Sequence, residues 1–178
     1  MSVTNKHVRV GLIGAGRMGS FHATSLAQKV PGAVLVAVAD PVPGAAQRLA
    51  EQLGAGKFYS EPQAMLDDPE IDAVLIATPA RTHAELVAAA ARAGKHVFCE
   101  KPMAITLEEA DHAIAAARSA GVVLQVGFNR RFARGFAAAL AAIAAGEIGT
   151  PQLIRSLTRD PSPLRDPSGI PPWTCLLY

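Results

Sequence analysis

The sequence predicts an α/β protein built on a doubly wound parallel sheet, and three observations carry that expectation. Short apolar runs alternate with longer amphipathic ones from Val8 to Val126. The short runs are rich in Val, Leu, Ile and Ala and lack polar alternation, the pattern of parallel strands buried on both faces. The connections are short, so helices must make the crossovers between strands.

The elements follow in order. Val8–Ile13 (VRVGLI) reads as the first strand, and a helix over 18–28 follows a glycine-rich turn. Residues 34–39 (VLVAVA) make a second strand, followed by a helix over 44–53, and Lys57–Tyr59 is a short third strand. The wholly apolar run 73–77 (AVLIA) is a fourth strand, with a helix over 82–93 after Pro79. A strand at 97–99, a helix over Leu107–Ala120 that stops at Gly121, and a strand at 122–126 complete the series. Beyond it come three arginines within 129–134, an Ala-rich helix over 136–145 closed by Gly146, and a possible strand at 153–158. Pro161, Pro163, Pro167, Pro171 and Pro172 then break any regular pattern, because proline lacks the backbone donor that helices and ladders need. The expected organisation is a dinucleotide-binding domain over 1–126, the incomplete start of a second α/β domain over 127–160, and an irregular tail over 161–178.

Composition narrows the function. The chain has 178 residues and a formal net charge of +2, with 50% hydrophobic and 18% charged residues. That balance gives no electrostatic reason for nucleic-acid binding and argues against wholesale disorder. Arg130, Arg131 and Arg134 form a basic cluster without aromatic interleaving, so nucleic acid is not an expected partner. About a fifth of the residues are alanine, which suits helices packed closely on a sheet. Cys99 and Cys175 have neither metal-ligand spacing nor a disulfide framework. Apolar runs break well before about 18 residues and no apolar signal core precedes the first strand, so no membrane partner and a cytoplasmic location are expected.

The chemistry begins where the first strand ends. Gly14-Ala15-Gly16-Arg17-Met18-Gly19 is a G-x-G-x-x-G turn between a strand and a helix, the context that makes this pattern a dinucleotide site. Gly14 permits the tight turn, Gly16 lets backbone approach a pyrophosphate, and Gly19 lets the helix lie close to its strand. The helix N-terminus offers free N–H groups and partial positive charge to the phosphates, and Arg17 can also reach them. Asp40 ends the second strand about 20 residues further on, where a carboxylate accepts from the ribose hydroxyls and repels a 2′-phosphate. NAD, in preference to NADP, is the expected cofactor.

Ligands of such sheets bind outside the carboxyl ends of the strands. Thr78, Pro79 and the following Arg81-Thr82-His83 stand there after the fourth run, Glu100-Lys101-Pro102 after the fifth, and Gly127-Phe128-Asn129-Arg130-Arg131 after the sixth. With GAGRMG, this set resembles the glucose–fructose oxidoreductase/inositol dehydrogenase (Gfo/Idh/MocA) family over roughly 8–160, and TRDPSP is similar to its inositol dehydrogenase branch. The resemblance implies a Rossmann domain that binds NAD and oxidises a secondary alcohol of an inositol, polyol or sugar-like substrate. It assigns Lys101 as the catalytic residue. It places Met18, Thr78, Pro79, His83, Glu100, Pro102, Asn129 and Arg131 around the cofactor with the glycine-turn residues and Asp40. A lysine suits the chemistry, since it can stabilise a developing alkoxide or take up the hydroxyl proton. Glu100 is expected to orient either the nicotinamide ribose or Lys101. His22, His96 and His112 are expected to be structural, and Cys99 to be a small buried hydrophobe.

Full members of that family are about twice as long, are expected to be homo-oligomers, and carry a downstream Asp and His for the proton-transfer step. No histidine follows His112 in this sequence. The chain therefore reads as a truncated member with impaired catalysis; the alternative is a non-catalytic NAD-binding module or gene remnant.

Overall fold

The computed structural model describes residues 7–155 and 157. Strands β1 (Val8–Ile13), β2 (Ala33–Ala39), β3 (Lys57–Tyr59), β4 (Ala73–Ile76), β5 (His96–Cys99) and β6 (Leu124–Val126) form one sheet. Their order is β3-β2-β1-β4-β5-β6 and every pairing is parallel. The chain starts at the centre, winds out to β3, and returns to lay β4 on the other side of β1. That reversal makes the β1/β4 boundary the topological switch point, where such sheets leave a crevice at the strands' carboxyl ends.

Neighbouring residues of each strand point to opposite faces, so each apolar run must be covered twice. Val10, Leu12, Leu35, Val38 and Leu75 pack against Ala23 of helix α1 (Arg17–Lys29) and Ala46, Leu49 and Ala50 of α2 (Ala45–Leu53). Ile13, Ala37, Val74, Ile76, Val97 and Cys99 meet Met65 and Leu66 of α3 (Pro62–Leu66), Val87 and Ala90 of α4 (His83–Arg92), and Ala113 of α5 (Leu107–Ala120). The alanines serve the close packing foreseen for them: Ala84, Ala88, Ala90, Ala91, Ala113 and Ala117 are all buried.

The elements predicted up to residue 126 form, with ends displaced by a residue or two, and the differences have local causes. The fourth helix is preceded by a 3-10 turn at Ala80–Thr82, so it begins at His83. The sixth strand starts at Leu124 because Val123 donates its N–H to the His96 ring, leaving that donor outside the ladder. Helix α3 was not foreseen: five residues are too few to show a helical period, yet Pro62 at its first turn and the buried Met65 and Leu66 define it.

The chain divides after Gly127 into two units, 1–127 with the sheet and 128–178. In the second, a 3-10 turn at Asn129–Phe132 precedes α6 (Arg134–Ala144), and the Arg130 guanidinium stands 5.7 Å from the Phe136 ring centroid. The strand expected at 153–158 is not formed at its described positions: 153–155 and 157 have no regular structure. A strand needs a neighbour for its backbone groups, and this unit has none among its described residues. Positions 156 and 158, and the irregular tail expected over 161–178, lie outside the described residues. Among those described, no helix is long and apolar enough to cross a membrane.

A polar cluster closes the sheet beside β3. Asp68 accepts from Lys57 Nζ (2.7 Å), the Tyr59 hydroxyl (2.7 Å) and the Glu70 N–H (2.8 Å). The buried Lys95 ammonium donates to the Asp68 and Ile71 carbonyls. Hydrogen bonding from Lys57, then from the Glu70 N–H and Tyr59, holds the Asp68 carboxyl well below its usual range. A carboxyl lowered on folding stabilises fully above its unfolded value of about 4, and that contribution is lost as pH falls through the folded value. The melting temperature is therefore expected to drop between about pH 4 and pH 2, and less steeply in Asp68→Asn. Parallel acid profiles for both proteins in calorimetry would contradict this assignment.

Candidate functional site

The first turn after β1 is shaped by backbone contacts. Gly14 has φ +101°, and a Cβ there would stand 2.6 Å from the Ala77 carbonyl oxygen of the neighbouring strand. A Cβ on Gly19 would stand 1.8 Å from the Gly14 carbonyl oxygen, so α1 crosses the turn at a distance only glycine allows. Gly16 differs: nothing lies within 4 Å of the position its Cβ would take. The space over Gly16 is open, and α1 begins there with no side-chain cap and no acidic residue in its first turn. First-turn N–H groups have no acceptor within a helix, so this terminus suits an anion such as a pyrophosphate. Arg17 and Met18 are exposed beside it.

Asp40, at the end of β2, is half-buried and braces the same turn. Its Oδ2 accepts the Ala15 N–H at 2.7 Å and its Oδ1 the Val42 N–H at 2.8 Å. An ionised carboxylate has about four acceptor positions, so two remain for hydroxyl donors. A cleft of about 490 Å³ opens beside it, lined among others by Asp40, Val42, Gln47, Tyr59 and Ser60. A groove of about 510 Å³ lies along α4 and α5; of the residues expected at the strand ends only Arg81 lines it, and neither the glycine turn nor Asp40 does.

Across the switch point, Thr78, exposed Pro79, and the Glu100-Lys101-Pro102 segment follow β4 and β5. Lys101 is half-buried, and the peptide joining it to Pro102 is cis. Burial pushes the Glu100 carboxyl upward, but hydrogen bonds from His22 and from the Lys101 N–H outweigh this and hold it below the ordinary value. Glu100 thus stands as an anion beside Lys101. Among the described residues no cluster of His, Cys, Asp or Glu could hold a metal ion. The geometry brings an uncapped helix end, a carboxylate and a lysine to the carboxyl edge of one sheet.

Residues 8–128 match the family described as an oxidoreductase family with an NAD-binding Rossmann fold. The chain belongs to the Gfo/Idh/MocA family. It is 46% identical over 153 residues to scyllo-inositol 2-dehydrogenase (NAD(+)) of Bacillus subtilis, covering 86% of this chain and 45% of that protein. It is 42% identical over 156 residues to myo-inositol 2-dehydrogenase of Thermotoga maritima, covering 88% of this chain and 46% of that one. A solved scyllo-inositol dehydrogenase from Lactobacillus casei, with NAD(H) and scyllo-inositol bound, superposes with a TM-score of 0.77 at 34% identity. That match covers 81% of this chain and 43% of the other. The chain spans a little under half the length of these relatives.

Within this Gfo/Idh/MocA domain most of the predicted site residues stand at the carboxyl edge of the sheet. Gly14, Gly16, Arg17, Met18 and Gly19 form the turn, Asp40 braces it, and Thr78, Pro79, Glu100, Lys101 and Pro102 follow the strands on the other side of the switch point. Glu100 Oε2 accepts the Lys101 N–H at 3.1 Å. His83 needs correction. Instead of facing a cofactor it is 1% exposed, with Nδ1 2.7 Å from the Pro102 carbonyl oxygen and Nε2 2.8 Å from that of Thr78. It braces the ends of β4 and β5 against each other from inside. Asn129 and Arg131 lie exposed in the 3-10 turn of the second unit. Cys99 is fully buried, and burial with the nearby Glu100 charge pushes its thiol up to about 12, which leaves it inert.

One residue of this site was missed by sequence reasoning. His22 was taken as a structural residue of the first helix, but its Nε2 lies 2.7 Å from Glu100 Oε1. The two are 78 positions apart, and no local pattern connects them.

Proposed function

We propose that this chain is the NAD-binding part of an NAD-dependent oxidoreductase that oxidises a secondary alcohol of an inositol, polyol or sugar-like substrate. The observation that carries the reading is the placing of Glu100 and Lys101 at the end of β5, across the switch point from the uncapped N-terminus of α1. Bound NAD supplies the hydride acceptor. The N–H groups from Gly16 onward hold the pyrophosphate, and Asp40 accepts from the adenosine ribose while disfavouring a 2′-phosphate. Thr78, Pro79 and Pro102 border the cofactor. Lys101 stands at the substrate hydroxyl, where a lysine can take up the hydroxyl proton as hydride passes to NAD and then stabilise charge developing on that oxygen. Identities of 42–46% to two inositol dehydrogenases favour an inositol over other polyols.

The 178-residue chain by itself holds the cofactor half of such a site. Hydride transfer needs the reacting atoms held about 3–3.5 Å apart, and a missing acid–base partner costs a further 10²–10⁴-fold. The purified chain is therefore expected to bind NAD yet form NADH from myo-inositol, scyllo-inositol or glucose at near-background rates. Steady-state NADH formation that Lys101→Ala abolishes would show a working enzyme in this length. Absence of NAD binding would overturn the reading altogether.

A further inference from the structure

The contact between His22 and Glu100 links the two halves of the site. His22 lies in α1, the helix whose N-terminus faces the phosphate position, and Glu100 ends β5. Both side chains are largely shielded, with 19% and 14% of their surface exposed. An ionised carboxylate only accepts, so the His22 Nε2–H donates to Oε1, while Oε2 accepts the Lys101 N–H. Two bonds therefore run from α1 to the Lys101 backbone through one carboxylate. The His22 ring also meets the edge of Phe98 at 5.7 Å and of Phe21 at 6.0 Å, which fixes the direction of its N–H. On the far side the backbone at Gly127 closes in: a Cβ there would come within 3.3 Å of Glu100 Oε1 and 3.2 Å of Phe98. The carboxylate is held between α1 and the start of the loop after β6.

On the oxidoreductase reading above, we infer that His22 is a positioning residue for Lys101. It holds Glu100 in place, and Glu100 sets where the Lys101 backbone, and with it the ammonium, stands at the nicotinamide end. One rigid helix then fixes both the phosphate site and the lysine. Such a link acts on the nicotinamide ring of the cofactor and leaves its ADP-ribose portion alone.

Three variants of the full 178-residue chain separate donor from packing. His22→Phe keeps an aromatic ring against Phe98 and removes the N–H, His22→Gln keeps a donor, and Glu100→Gln keeps size and removes the anion. The readouts are affinity for ADP-ribose, affinity for NADH, and the NMR signal of ¹³C-methylated Lys101, assigned by its loss in Lys101→Arg. The expected result is unchanged ADP-ribose binding in the two His22 variants. The Lys101 signal should move in His22→Phe and Glu100→Gln and return in His22→Gln. The advantage of NADH over ADP-ribose should fall about tenfold in the first two, the effect of one hydrogen bond to a charged group. An unmoved Lys101 signal in His22→Phe, or no recovery in His22→Gln, would overturn the inference. If His22→Phe does not fold, Glu100→Gln decides alone, and an unmoved signal there is equally fatal. Failure of the wild-type chain to bind ADP-ribose would instead remove the oxidoreductase reading, while the Lys101 signal still decides the positioning role.

Discussion

Gly19→Ala is expected to destabilise the sheet unit by about 3 kcal/mol or more, the upper end of overpacking effects, and to abolish NAD binding. The added methyl would fall 1.8 Å from the Gly14 carbonyl oxygen, and backbone cannot swing aside as a side-chain tip can. Relief requires α1 to lift from β1, which pulls Ala23 out of its contact with Leu12 and Val38 and moves the N–H groups meant for phosphate. Gly16→Ala is the matched control. That methyl meets nothing within 4 Å and the backbone φ of −71° accepts any residue. Stability should change by less than about 0.5 kcal/mol, yet affinity should fall because the methyl occupies the phosphate's approach. Urea unfolding and NAD titration of both variants check the pair. An unchanged midpoint for Gly19→Ala would mean the turn is looser than described.

Asp40→Ala is expected to act on both stability and affinity. It strips the acceptor from the Ala15 N–H at 2.7 Å and from the Val42 N–H at 2.8 Å, so the phosphate turn and the β2–α2 connection lose a common brace. Unmet donors of this kind cost about 1–3 kcal/mol when shielded from water. The ribose also loses its charged partner, so NAD affinity should fall roughly 10- to 100-fold, the range for hydrogen bonds to charged groups. NADP affinity should fall less, because the repulsion of its 2′-phosphate goes with the carboxylate. Calorimetric titration with both dinucleotides would show the gap narrowing; a gap of the same size would assign the discrimination to another residue.

These two sites differ in how far the sequence reveals them. The glycine turn is local: strand, turn and helix are contiguous, and Gly14 and Gly19 have steric reasons that the spacing already implies. Asp40 was legible by its distance along the chain, though not its brace on Ala15, which depends on β1 and β2 lying side by side. The central strands β2 and β4 were legible because burial on both faces leaves no polar positions to blur an apolar run. Strand ends were less so. Val123 drops out of β6 because the His96 ring takes its N–H, a tertiary event. The strand expected at 153–158 shows the opposite error, since an apolar run has strand character only when another strand receives it. The surroundings of His83 and His22 are likewise set by tertiary contacts. His83 stands in a motif at a strand end, yet it is turned inward between two carbonyl groups. His22 stands in an ordinary helix, yet it meets Glu100, the neighbour of Lys101.

The central claim is that residues at the carboxyl edge of this sheet form an NAD site with a stated preference. Calorimetric titration of the wild-type chain with NAD⁺ and with NADP⁺ tests it most directly. The expected result is saturable binding of NAD⁺, tighter than that of NADP⁺. No binding heat at millimolar NAD⁺, or NADP⁺ binding as tightly as NAD⁺, would contradict it.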